Sequence, residues 1–175
     1  MIASSRERRL ARRAAQGDRD ALRELYEEYS EDLFAVAYRL TESSADARDV
    51  LHDVFSRLPR ALRSYNRKGP LGPWLRAVTT RAALVRLRAE RRRREVSVQD
   101  ESLFGARRTP SVIDSIAFER ALASLPEKLR TVIILKELQG YSHKEIGDLL
   151  GIPPSTSRGR LHTARAALRD ALRDE

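Results

Sequence analysis

Pro154, Ser155, Thr156, Arg158, Arg160 and Thr163 stand within one short stretch near the end of the chain. Hydroxyls and guanidinium groups mixed in this way offer hydrogen bonds both to phosphate oxygens and to base edges, which is the chemistry of DNA recognition. Leu161, Ala164, Leu168 and Leu172 recur at helical spacing and form one apolar stripe. That stripe turns Ser155, Thr156, Arg160 and Thr163 away from a core, with Arg158 at the flank. An ordinary helical hairpin with a solvated face would share the apolar stripe. The density of donors and the turn before them favour DNA.

The donors need a rigid mount, and the preceding residues supply one. Ser142 and Glu145 stand at capping-box spacing, so each side chain can satisfy an orphan amide at a helix start. Ile146, Leu149 and Leu150 give that helix an apolar stripe, and Gly151 supplies the left-handed backbone that ends it. Pro153 and Pro154 then stop the first helix and pre-set the start of the second. Two short helices around a glycine turn, the second rich in donors, are the pattern of a helix-turn-helix.

Charge agrees with a nucleic-acid partner. The 175 residues carry 34 Lys+Arg against 25 Asp+Glu, a formal net charge of +9, so non-specific attraction to phosphate follows. Its distribution is uneven: Arg81 to Arg94 holds seven arginines and one glutamate, ending in Arg91 to Arg94. There is no cysteine, which excludes disulfides, thiol chemistry and cysteine-ligated metals. His52, His143 and His162 are not at metal-binding spacing from one another. No metal, cofactor or small-molecule substrate is expected. The arginine-rich amino terminus lacks the apolar core of a secretory signal, and no apolar run reaches membrane-spanning length, so a cytoplasmic protein is expected.

Helical periodicity runs nearly throughout, with no convincing strand alternation, and predicts an all-α fold. Asp20 to Tyr38 carries Leu22, Leu25, Tyr26, Tyr29, Leu33, Phe34, Ala37 and Tyr38 in an aromatic-rich stripe. Ser44 to Leu58 carries Ala47, Val50, Leu51, Val54, Phe55 and Leu58, and Pro59 marks a bend or an end. Tyr65, Asn66, Arg67, Lys68, Gly69, Pro70, Gly72 and Pro73 read as a turn-rich loop before a helix opening near Trp74. From Glu95 to about Ser111 periodicity fades into a linker's composition. Asp114 to Leu125 then predicts a short helix. Pro126 starts another, whose Leu129, Val132, Ile133 and Leu138 would support the helix-turn-helix. Two small helical domains at 1–94 and 113–175, joined by a flexible linker at 95–112, are expected.

This arrangement resembles the extracytoplasmic-function sigma factors, the compact branch of the sigma-70 family, over nearly the whole chain. Ala121 to Glu127, Gly140 to Ile146, Gly151 to Pro153 and Arg160 to Arg169 look like sigma domain four. Gly17 to Tyr26, Asp46 to Phe55, and Trp74 with Leu75 are similar to sigma domain two. The resemblance implies a promoter-specificity subunit without catalytic activity, which binds core RNA polymerase and directs it to promoter DNA. Carried over position by position, Asp46, Asp49, Leu51, His52, Asp53 and Phe55 belong to the helix docking on the clamp helices of the largest polymerase subunit. Tyr65, Asn66, Arg67 and Lys68 belong to the loop that captures an unstacked promoter base near the start site, supported by the helix of Trp74, Arg76, Arg81, Arg86 and Arg88. Trp74 reads equally as a wedge at the melting point or as a core anchor. Pro154, Ser155, Thr156, Arg158, Arg160 and Thr163 face the upstream promoter element. The resemblance also implies contact with the flap of the second-largest subunit and control by an anti-sigma factor. Glu95, Asp100 and Glu101 fall in the linker, which the resemblance runs toward the RNA exit channel.

Several positions depart from the family pattern. Arg48 stands where an acidic residue is usual, and His52 with Asp53 replaces glutamine and glutamate, which makes the docking surface less acidic. Arg81 and Val85 replace asparagine and aspartate; Ser157, Gly159 and Thr163 replace valine, serine and arginine. A mid-helix glycine such as Gly159 costs about 1 kcal/mol of helix stability. The competing reading is a conventional helix-turn-helix regulator, which would bind two half-sites as a dimer.

Overall fold

The structure is a computed structural model that describes residues 4–65, 69–96 and 113–173. It is all helix among those residues and divides into two compact units, Met1–Leu103 and Phe104–Glu175. The expected loop residues Asn66, Arg67 and Lys68, and the linker acids Asp100 and Glu101, lie outside the described residues.

The first unit is a four-helix assembly: α1 (Ser5–Ala15), α2 (Arg19–Thr41), α3 (Ser44–Ala61) and α4 (Leu71–Val96). Helix α2 packs on both α3 and α4 and carries the middle of the core. Its residues Ala21, Leu25, Leu33, Val36, Ala37 and Leu40 recur at three, four and multiples of that spacing, and all are buried. Against them lie Ala47, Val50, Leu51, Val54 and Leu58 of α3 and Leu71, Leu75, Ala83 and Leu84 of α4. A fully buried leucine contributes about 1.5–3 kcal/mol, so these side chains dominate the unit's stability. Tyr26, expected on the core stripe, instead turns outward at 48% exposure, its ring edge against Phe55 with centroids 4.9 Å apart.

Three helix limits differ from the periodicity. The arginine-rich terminus is helix α1, opened by a reciprocal capping box: Ser4 N–H donates to Glu7 Oε2 at 2.6 Å and Glu7 N–H to Ser4 Oγ at 3.1 Å. Helix α3 runs through Pro59 to Ala61, because a proline in the last turn forfeits only one intrahelical bond. Helix α4 begins at Leu71, with Pro73 in its first turn where a missing N–H is not needed, and continues through Arg91 to Val96.

Glu7 also ties α1 to α4, since its Oε1 accepts the N–H of Leu71 at 3.3 Å, an orphan donor at the start of α4. The Ser4 amide, opposed by burial and aided by the Leu71 amide, the Ser4 hydroxyl and Arg6, holds the Glu7 carboxyl below its usual range. A depressed folded-state value means stability that is fully present above the unfolded carboxylate pKa and lost as pH falls through the folded one. Urea unfolding followed by Trp74 fluorescence should therefore show the wild type more stable than Glu7→Gln at pH 6. The two should converge as the pH falls below about 4.

The second unit comprises α5 (Ile113–Ser124), α6 (Glu127–Ile133), a π-helical turn (Ile134–Leu138), α7 (His143–Leu150) and α8 (Pro154–Ala171). Helix α8 packs on α6, α7 and α5. Val132, Ile133, Ile134, Leu135, Ile146, Leu161 and Ala164 are buried between them, together with Ala121, Leu122 and Leu125. The buried Arg130 donates from its guanidinium to the carbonyl of Leu125 at 2.9 Å, securing the turn between α5 and α6. The π-helical turn has no signal in the sequence. It widens the helix at Ile134 and Leu135, both fully buried.

Candidate nucleic-acid interface

Helix α7 and helix α8 form the expected helix-turn-helix, and every part of the turn does what its residue type allows. Ser142 N–H donates to Glu145 Oε2 at 2.8 Å and Glu145 N–H to Ser142 Oγ at 3.2 Å. The Ser142 hydrogen bonds also hold the Glu145 carboxyl below its usual range. Gly151 closes α7 in the left-handed region, φ 66°, with its N–H on the carbonyl of Gly147. The N–H of Ile152 reaches the same carbonyl at 3.1 Å. Pro154 opens α8 at its first position.

The turn fixes the direction of α8 and thereby the donors. Pro154, Ser155, Arg158 and Thr163 are exposed, and Thr156 and Arg160 are half-buried. At 3.6 residues per turn they fall into two adjacent rows, Ser155 with Arg158 and Thr156 with Arg160 and Thr163. Thr163 Oγ1 donates to the carbonyl of Gly159 at 3.2 Å, so its hydroxyl meets a ligand as an acceptor. His162 is also exposed and extends the Ser155 and Arg158 row. Sequence reasoning assigned it no role; its i+4 spacing from Arg158 was the available signal.

Opposite those rows the helix is anchored by a polar contact as well as by Leu161 and Ala164. Ser157 is fully buried and its Oγ shares a 2.9 Å hydrogen bond with Nδ1 of His143, the first residue of α7. Burial, with Lys136, Arg158 and Arg165 nearby, holds the imidazole below its ordinary pKa. Ser157→Ala leaves that nitrogen without its protein partner and should cost about 1 kcal/mol. The loss should appear as faster amide hydrogen exchange in α7 and α8.

Of the first unit's candidates, Arg81 and Arg88 of α4 are exposed. Arg76 is held by Asp32 of α2 at 2.6 Å. Arg86 bridges to α3, 2.7 Å from Asp46 and 2.9 Å from Asp49, and the Asp46 hydrogen bond raises the proton affinity of its guanidinium. Two carboxylates expected to face a protein and one arginine expected to face DNA thus engage one another. Tyr65 is buried, its hydroxyl donating to the carbonyl of Gly69, and its ring lies 5.2 Å from that of the half-buried Trp74. Tyr65 belongs to the buried core cluster, and Trp74 packs against it.

On α3 the exposed residues are Ala45, Arg48, Asp49, His52, Asp53, Ser56, Arg57 and Arg60, with Arg57 3.9 Å from Asp53. Leu51 is 7% exposed and packs inward, whereas Phe55 is half-buried and shares the surface with Tyr26.

The pattern of Sigma-70 region 2 matches residues 25–93, and that of Sigma-70 region 4 matches residues 115–168. The ECF RNA polymerase sigma factor SigL of Mycobacterium tuberculosis is 32% identical over 92% of this chain and 94% of its own. The chain belongs to the ECF sigma factors. SigW of Bacillus subtilis is 28% identical over 91% of this chain and 92% of its own. The solved structure of CnrH in complex with the cytosolic domain of CnrY is 26% identical, covers 97% of this chain and 98% of that one, and has a TM-score of 0.56. As an ECF sigma factor the chain is a promoter-specificity subunit of bacterial RNA polymerase, and the two arginine-bearing helices belong to the two regions such a subunit carries. Among the described residues no helix is long and apolar enough to cross a membrane.

Proposed function

We propose that this sigma factor divides its work between residues 1–94 and 113–175, with 95–112 as the connecting segment. Helix α8 reads the upstream promoter element through Ser155, Thr156, Arg158, Arg160 and Thr163, with Pro154 setting its approach. Helix α4 holds the start-proximal element through Arg81 and Arg88, with Arg76 and Arg86 contributing once released from their carboxylates. The segment from Tyr65 into the start of α4 captures an unstacked base, with the Asn66 amide and the cations Arg67 and Lys68 as its polar groups. Extruding a base costs a few kcal/mol, which phosphate contacts and stacking must offset.

Helix α3 docks on the clamp helices of the largest polymerase subunit through Asp46, Asp49, His52, Asp53 and Phe55, with Tyr26 as an added apolar contact. The apolar groove of the second unit, lined by Phe118, Leu122, Ile133, Leu138 and Leu168, takes the flap of the second-largest subunit. The bond-forming chemistry belongs to the polymerase, and the protein acts in the cytoplasm where that enzyme works. An anti-sigma factor covers the docking surfaces in the inactive state. The CnrH structure, solved with a second protein, supports a regulatory partner of this kind.

The observation that carries this reading is the donor face of α8, exposed at Ser155, Arg158 and Thr163 and half-buried at Thr156 and Arg160, and aimed by a turn in which the Ser142 and Glu145 capping box opens α7 and Gly151 closes it. Run-off transcription with purified core polymerase and a fragmented genomic template tests it. Discrete new start sites that require this protein are expected. No new starts, together with tight binding of free duplex as a dimer, would replace the reading with a conventional regulator.

A further inference from the structure

We propose that His143 is a proton-linked phosphate contact, so that binding of the upstream promoter element takes up a proton and tightens in mildly acidic solution. The proposal rests on the assignment of α7 and α8 to promoter DNA made above. In a helix-turn-helix the first helix crosses the DNA backbone, and His143 is the first residue of that helix, α7.

Its ring is held at one nitrogen and open at the other. Nδ1 lies 2.9 Å from Oγ of the fully buried Ser157. The residue as a whole is half-buried, and Nε2, on the opposite edge of the ring, is not a buried orphan among the described residues. The tether fixes the ring and leaves Nε2–H to donate to a ligand. A serine hydroxyl can donate or accept, so the bond to Nδ1 survives when the imidazole gains a proton. A valine at position 157, the usual residue of the family pattern, would form no such bond.

The charges around the ring favour an anionic ligand. The π-helical turn brings Lys136 and Glu137, α8 brings Arg158 and Arg165, and Lys144 and Glu145 follow on α7 itself. Glu137 and Arg165 pair at 2.5 Å and largely offset one another. Glu145 accepts the Ser142 N–H at 2.8 Å. Lys136 and Arg158 remain as the cations that act on the imidazole. Burial and these cations disfavour its charged form in the free protein. An arriving phosphate favours that form, so the ring gains a proton as the complex assembles. Arg158 belongs to the donor face of α8, which places the ring at the edge of that face, where phosphates flank the bases.

The test uses the full chain assembled with core polymerase on a promoter fragment that carries a mapped start site. His143→Asn keeps an amide group in the place of Nδ1 and removes both Nε2 and the titration. Relative to that variant, wild-type affinity should rise about fivefold from about pH 8 to about pH 6, the effect of a pKa raised by roughly one unit on binding. The slope of log affinity against log salt should steepen over the same range in the wild type only. His162→Gln, which removes the exposed histidine of α8, should retain the fivefold pH effect. Circular dichroism at both pH values checks that each chain is folded. Parallel pH profiles in wild type and His143→Asn overturn the proposal, and a wild-type salt slope that does not change with pH overturns it without any variant. Arg158→Ala combined with Arg160→Ala tests the underlying assignment. If that variant binds the fragment as tightly as the wild type, α7 and α8 do not face the promoter; if it weakens binding, a failure at His143 concerns His143 alone.

Discussion

Gly147→Ala should unseat the recognition helix and abolish use of the upstream element, although alanine is the better helix former. Gly147 is buried in α7, and a Cβ built there would meet the carbonyl oxygen of Ile152 at 2.7 Å, with two ring carbons of Pro154 at 3.6 Å. The obstacle is backbone, held by the turn, and cannot rotate aside. The Gly147 carbonyl also accepts the N–H groups of Gly151 and Ile152, so a shift of the turn breaks the bonds that close α7. Overpacking costs about 1–3 kcal/mol, and the helix-propensity gain of about 1 kcal/mol does not offset the upper end of that range. Circular dichroism melting should show the loss, and promoter complexes of the holoenzyme should weaken more than about tenfold. Gly159→Ala is the contrast: nothing lies within 4 Å of a Cβ there, so the variant should gain up to about 1 kcal/mol.

Replacing Arg158 and Arg160 together by alanine should remove the mapped transcription starts while leaving the fold intact. Arg158 is exposed and Arg160 half-buried on the donor face of α8, away from Leu161 and Ala164. A bidentate arginine contact to a base discriminates by about 1–3 kcal/mol, so the pair accounts for roughly a hundredfold or more in promoter affinity. Salt dependence separates the two kinds of contact. An arginine on phosphate lowers the slope of log affinity against log salt by about one when removed, whereas an arginine on a base edge changes sequence preference. Titrations of the single variants on the mapped promoter, against scrambled upstream elements, would assign each. An unchanged affinity in the double variant would exclude α8 as the recognition helix.

Much of this molecule was legible in the sequence because its signals are local. The capping box of Ser142 and Glu145, the left-handed Gly151 and the proline start of α8 each act within a few residues, and the structure contains all of them. The buried stripes of α2 and α3 follow from spacing alone. The same local signal at Ser4 and Glu7 marked α1, but the charge of that segment obscured it. The end of α2 was less legible: it closes at Glu42, in the left-handed region at φ 55°, where glycine is the usual signal.

The sequence by itself determined most of the helices, the two-unit order, the turn that aims α8 and the residues that give the chain its family, since each is a matter of spacing along one stretch of backbone. Which charged and aromatic groups remain available for a ligand was decided only by the tertiary structure. Arg76 meets Asp32, Arg86 meets Asp46 and Asp49, and Ser157 meets His143, pairs separated in sequence by 44, 40, 37 and 14 positions. Tyr65 and Leu51 disappear into the core, while Tyr26 and Val85 face outward. Periodicity assigns a residue to a face of its own helix. It does not contain the neighbouring helix, and that neighbour determines whether a guanidinium is already bonded or a ring is covered.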